Sequence, residues 1–191
     1  MRIRQAEAAD AAHLARFINM AADDLPLHFW KKSVGPEGDP WAWGQERAAR
    51  ESGNFSYRNA WLAEDQGAVA ACLLGYLADP EPAAIDPDTP PIFVPLLELE
   101  ALAPGSWYLN VLATYEEHRG RGLGRALLAK AEEVARAGGF RQISLIAADT
   151  HGDALRLYRG QGYAEQARRA VVKGDWQVEA SDWILFTKAL G

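Results

Sequence analysis

The chain has 191 residues, a length that suits one domain with a sizeable core. Of these, 49% are hydrophobic and 24% charged, with a net charge of −6, the balance of a soluble globular chain and a poor match to a general nucleic-acid-binding surface. No apolar run reaches the ~18 residues a membrane span needs, and Arg2, Arg4, Glu7 and Asp10 leave no signal-peptide core at the start, so an untargeted cytoplasmic protein with no membrane partner is expected. The single cysteine, Cys72, has apolar neighbours and reads as a core residue; His13, His28, His118 and His151 show no metal-ligand spacing, so no metal is expected.

In chain order, Ile3 between Arg2 and Arg4 marks a short strand, and Glu7 and Asp10 then place negative charge where a helix begins. Leu14, Phe17, Ile18 and Ala21 form the buried stripe of that helix. From Asp23 to Pro40 the spacing predicts irregular chain, because Pro26, Gly35, Pro36, Gly38 and Pro40 interrupt any long helix. Leu25, Leu27, Phe29 and Trp30 are nevertheless too apolar for a solvated linker. Trp41 and Trp43 enter a second helix running through Arg50. Tyr57 to Glu64 and Ala68 to Leu77 read as two central strands joined by the hairpin turn Asp65-Gln66-Gly67.

Asp79 to Pro104 contains Pro80, Pro82, Pro87, Pro90, Pro91, Pro95 and Pro104, which forbid regular strands through most of it. Ile92, Phe93, Val94, Leu96, Leu97, Leu99 and Leu102 still demand burial, and Leu96 to Ala103 is expected as a short helix with Glu98 and Glu100 outward. Trp107 to Thr114 then reads as a buried strand. From Leu123 the apolar positions Leu127, Leu128, Ala131, Val134 and Ala135 mark one face of a long helix, with Arg125, Lys130, Glu132 and Glu133 on the other. Gln142 to Ala148 is a further strand, Gly152 to Arg159 a helix stopped by Gly160 and Gly162, and Tyr163 to Val172 and Trp183 to Ala189 two closing strands.

The stretch between the Trp107 strand and the long helix, His118-Arg119-Gly120-Arg121-Gly122-Leu123-Gly124-Arg125, carries the chemistry. The first N–H groups of a helix have no partner within it and carry the positive end of its dipole, and glycines let that backbone approach a bulky anion. Arg119, Arg121 and Arg125 add permanent positive charge suited to a phosphate or pyrophosphate. The dinucleotide spacing G-x-G-x-x-G fails, since the third position holds Arg125 or Leu127, and no P-loop occurs.

What fits is Arg119-x-x-Gly122-x-Gly124 after the strand end Leu112-Ala113-Thr114, followed by Ala154-x-x-Leu157-Tyr158-x-x-x-Gly162-Tyr163. This pair of signatures, in this order and across a strand, resembles those of the GNAT superfamily of acyl-CoA N-acyltransferases, most strongly from Trp107 to Tyr163. The resemblance implies a single α/β domain over residues 1–191, with a mixed, mostly antiparallel central sheet of about seven strands flanked by helices and splayed between its fourth and fifth strands. The Pro-rich stretch at about 79–105 is then an insertion that walls the acceptor pocket, or a surface helix, or a homodimer contact.

By the same resemblance, main-chain groups of Leu112, Ala113 and Thr114 would hold the pantetheine arm and acyl carbonyl of acetyl-CoA. Amides from Arg119 and Gly120 through Arg121, Gly122, Leu123 and Gly124 to Arg125 would hold its pyrophosphate. His151 stands where the family often has Asn against the coenzyme, which changes that contact. Tyr158 occupies the general-acid position, as a proton donor to the departing thiolate. Phe29 and Trp30 belong to the region that lines the acceptor side, where packing of helices onto the sheet is an equally good role for either. No glutamate lies on the Trp107 strand, so the usual carboxylate base is missing there. Asn110 can orient a water, and solvent, Asp24 and His28 remain alternatives for removing the amine proton. The implied activity is acetyl transfer from acetyl-CoA to a primary amine of a small molecule or protein in a ternary complex. A CoA-binding module without turnover is the alternative, and an unrelated nucleotide binder is disfavoured by both failed fingerprints.

Overall fold

The computed structural model describes all 191 residues. Its strands are β1 (Arg2–Gln5), β2 (Ala60–Asp65), β3 (Ala68–Leu77), β4 (Trp107–Thr114), β5 (Gln142–Ala148), β6 (Ala164–Ala170) and β7 (Asp182–Ala189). They form one seven-stranded sheet in the order β1-β2-β3-β4-β5-β7-β6. The helices are α1 (Ala11–Ala21), α2 (Leu25–Val34), α3 (Pro40–Ala48), α4 (Val94–Glu100), α5 (Leu123–Ala137) and α6 (Gly152–Gly160). β4 and β5 are parallel, with Trp107 opposite Ile143 and Leu109 opposite Leu145, whereas β1 with β2, β2 with β3, β5 with β7 and β6 with β7 are antiparallel. The mixed, mostly antiparallel sheet of seven strands that the resemblance implies is therefore present. No helix is long and apolar enough to cross a membrane.

The chain packs as two compact units, residues 1–75 with 110–131 and residues 76–109 with 132–191. In the first, α1 buries Leu14, Ala15, Phe17 and Ile18, and the β2–β3 hairpin turns through Gln66 (φ 53°) and Gly67 (φ 86°), the left-handed pair that matches strand twist.

The stretch expected to be irregular holds a ten-residue helix, α2. Its proline is no obstacle, because Pro26 sits in the first turn, where no N–H is required, and Gly35 (φ 71°) ends the helix before Pro36. Asn19, buried at the end of α1, fixes the entry by accepting from the Leu27 amide at 2.9 Å and donating to the Asp24 carboxylate. Pro40 likewise opens α3 at its first turn, capped by Asp39, which accepts from the amides of Trp41 and Ala42.

Trp30 is buried between α2 and α3. Its ring stands edge-on to Trp41 at 5.9 Å and covers Gly44 so closely that a Cβ there would lie 2.5 Å from it. Gly44→Ala is accordingly expected to destabilise the protein by about 1–3 kcal/mol through overpacking. Urea titration of that variant measures this directly, and an unchanged midpoint would mean that the ring simply moves aside.

In the second unit Ile143, Leu145, Ile184 and Phe186 fill the β5–β7 core, and α4 packs on β6 and β7. α4 starts two residues earlier than the expected Leu96, because Pro95 fits the first turn of a helix. Glu98 does reach outward, to Arg169 at 2.5 Å, but Glu100 is turned inward against Tyr108. Glu132, expected on the solvated face of α5, is also buried, held by Lys188 at 2.6 Å and Arg136 at 3.2 Å.

Candidate functional site

In the first unit, the end of β4 and the start of α5 are built as one continuous feature. Val111 is buried, but Leu112, Ala113 and Thr114 are half-exposed although β4 is the middle strand of seven. Tyr115 then anchors the chain. Its amide donates to Ala70 O at 2.9 Å, its ring stacks on Phe17 at 4.2 Å, and its hydroxyl meets His13 Nδ1 at 2.9 Å. Burial pushes this phenol's pKa up.

A single short turn, Glu116–His118, leads to Arg119, whose backbone is extended, and then to Gly120 (φ 74°) and Gly122 (φ 80°). Both are in the left-handed region that disfavours any other residue, and where a Cβ would point there is open space within 4 Å of each. The first helical bond of α5 runs from Ala126 N to Gly122 O at 3.1 Å, which leaves the amides of Leu123, Gly124 and Arg125 ahead of it. The first turn of α5 itself carries no acid.

The three arginines of the turn differ. Arg119 is exposed, with its Nε 3.4 Å from Thr114 O, and Arg125 is exposed on the first turn of α5. Arg121 is occupied: Nη1 donates to Asp65 Oδ2 at 2.6 Å and Nη2 to Glu117 O at 3.0 Å. His118 Nδ1 lies 3.3 Å from the same Asp65 oxygen. Arg121 first, and His118 after it, hold the Asp65 carboxyl below the usual carboxylate range.

Two expected acceptor-side residues of this unit, Phe29 and Asn110, are half-buried, the former edge-on to His28 at 5.4 Å with Lys32 Nζ 5.5 Å from its ring centre. The third, Trp30, faces α3 as described, so its visible work is helix packing.

The second unit holds Tyr158 and His151. Tyr158, on α6, is 5% exposed, with its ring between Tyr163 at 6.1 Å and Phe186 at 6.0 Å. Burial alone pushes its phenol's pKa well up, so the group keeps its proton at neutral pH. His151 is half-buried at the head of α6, where its carbonyl accepts from Leu155 N at 2.9 Å and its side chain caps no amide. Beside it Asp149 accepts from the Ser181 amide at 3.0 Å, which ties this corner to the start of β7.

Glu100 is the group that the sequence reading missed. Burial raises its pKa, opposed in part by its hydrogen bond to Tyr108, and Tyr108 itself meets Tyr76 edge-on at 5.5 Å. Residues two apart on a helix point to roughly opposite sides, so with Glu98 outward Glu100 had to turn in. A carboxyl whose folded pKa is raised costs nothing below its unfolded pKa, about 4.5, and penalises folding increasingly as pH rises from there to the folded value. Glu100→Gln is therefore expected to match the parent's melting temperature near pH 4 and exceed it at pH 8. A constant offset across that range would contradict the buried-acid reading.

A family model described as the acetyltransferase (GNAT) family matches residues 19–163. The chain belongs to that family. The matched region contains β4, the glycine turn, α5 and Tyr158, and ends at Tyr163. Among solved structures, an acetyltransferase crystal structure superposes with a TM-score of 0.70 at 21% identity, covering 100% of both chains. An N-acetyltransferase from Staphylococcus aureus Mu50 gives 0.69 at 18% identity, covering 98% of this chain and 100% of its own. The structure of yncA from Salmonella typhimurium, solved with acetyl-CoA, gives 0.60 at 18% identity over 100% of this chain and 94% of its own. No curated protein sequence matches. These likenesses establish the GNAT fold for the whole chain.

Proposed function

We propose that this GNAT protein transfers an acetyl group from acetyl-CoA to a primary amine by direct attack in a ternary complex. The observation that carries the proposal is the head of α5: two left-handed glycines with open space beside them, amides ahead of the first helical bond and no acid in the first turn. Such a cradle suits the diphosphate of CoA, and the yncA relative holds acetyl-CoA. The amides from Gly120 to Arg125 bind the diphosphate, aided by the charges of Arg119 and Arg125. Main-chain groups of Leu112, Ala113 and Thr114 align the pantetheine arm and polarise the acyl carbonyl. His151 borders the coenzyme at the head of α6, and Phe29 and Asn110 face the acceptor.

The chemistry then needs little beyond placement. The lone pair of a neutral amine attacks the thioester carbonyl carbon, the carbon–sulfur bond breaks, and Tyr158 gives its phenolic proton to the leaving thiolate. The proton lost by the amine passes to water, and the phenol is reprotonated from solvent. The N-acetyltransferase from Staphylococcus aureus supports nitrogen as the acceptor atom. All 191 residues act as one GNAT domain carrying an insertion at 79–105, working in the cytoplasm, where acetyl-CoA is available. Thiol release from acetyl-CoA, followed with a panel of amines, tests the reading. At least one amine is expected to raise release well above hydrolysis, whereas tight CoA binding with no amine-stimulated release would make the protein a binding module.

A further inference from the structure

We propose that Asp65, at the tip of the β2–β3 hairpin, is a positioning residue that clamps the glycine turn through Arg121, so that the Arg121 guanidinium shapes the coenzyme site without itself binding the diphosphate. The inference rests on the reading of the turn as a CoA site. Arg121 lies between Gly120 and Gly122, both at positive φ, so the backbone on each side of it has more freedom than any other residue type would allow. A turn with that freedom would have to be ordered by the ligand, at a cost to affinity.

The Arg121 fork removes the freedom beforehand. One nitrogen bonds Asp65 Oδ2 at 2.6 Å and another bonds Glu117 O at 3.0 Å, which ties the turn both to the hairpin tip and to the short helix before it. His118, two residues before Gly120, approaches the same carboxylate oxygen at 3.3 Å, so both sides of Gly120 are fastened to one group. Asp65 is the last residue of β2, paired opposite Ala68 across the hairpin, and so offers a fixed anchor. Its charge cancels that of Arg121. Arg119 and Arg125 are exposed and make no ion pair, which leaves their charges to the anion.

The two possible roles of Arg121 give opposite signs. If Arg121 is a clamp held by Asp65, Asp65→Ala and Arg121→Ala each weaken CoA binding by about three- to tenfold, and the double variant is no weaker than either single one. In turnover, KM for acetyl-CoA rises by the same factor while kcat at saturating acetyl-CoA is unchanged, a split that general destabilisation would not produce. Arg121→Lys, which keeps the charge and loses the fork, binds as weakly as Arg121→Ala. If Arg121 were instead a diphosphate ligand, Asp65→Ala would release it and tighten CoA binding, Arg121→Lys would restore affinity, and the proposal would be overturned. It would also be overturned if Asp65→Ala bound CoA like the parent. Failure of the parent protein itself to bind CoA would refute the proposed function, a result separable from any difference between variants.

Discussion

Tyr158→Phe is expected to lower kcat by about 100- to 10,000-fold, the range in which a positioned general acid contributes, with little change in KM for either substrate. The phenol is buried and its pKa is raised, so in the parent the proton is in place throughout the neutral range. The substitution removes only the oxygen. The ring keeps its neighbours Tyr163 and Phe186, and the melting temperature is expected to move by little. A thiolate that must then collect its proton from water leaves more slowly, and the deficit should shrink with acyl donors whose thiols are more acidic. If Tyr158→Phe kept a third or more of parental kcat, the phenol would be a packing residue and the proton would come from elsewhere.

Gly122→Val is expected to weaken CoA binding by about 10- to 100-fold, since an L-residue costs about 1–2 kcal/mol in the left-handed region and a β-branched one more. At φ 80° with no atom within 4 Å of a built Cβ, the penalty comes from the backbone and not from collision. The turn must therefore re-form, displacing the amides that follow it. Gly53→Val is the matched control: φ there is 91°, the surroundings are equally open, and the residue lies outside the coenzyme turn. That variant should lose stability yet bind CoA like the parent. Equal CoA affinities for the two variants would remove the glycine turn from the site.

The parts of the molecule that were legible in the sequence are those set by local periodicity. The strand Trp107–Thr114, the long apolar stripe of α5 and the Gln66-Gly67 hairpin all recur in the structure, because each is decided within a few residues. α2 is hidden among Pro26, Gly35, Pro36, Gly38 and Pro40, which interrupt a long helix, whereas Pro26 occupies the first turn, which tolerates it, and Gly35 ends the helix before Pro36. The inward-turned acids of unit two, buried Glu132 and half-buried Glu100, are hidden from the sequence for a different reason. Glu132 is satisfied by Lys188, 56 residues away, and Glu100 by a tyrosine on β4, and no window of sequence reveals such partners. Arg121 shows the same limit within the site. Its charge and its glycine neighbours are plain in the sequence, but its carboxylate partner lies 56 residues earlier, so of three exposed arginines one is fastened to a carboxylate and two are not.

The contact between the head of α5 and the diphosphate of CoA underlies every step of the proposed function. The direct test is an NMR titration of ¹⁵N-labelled protein, following the backbone amides of Gly120, Gly122, Leu123, Gly124 and Arg125, with CoA and with pantetheine, which lacks the diphosphate. The expected result is saturable movement of these amide signals with CoA and none with pantetheine. If saturating CoA left them unmoved, or shifted only amides elsewhere in the chain, the head of α5 would not be the coenzyme site.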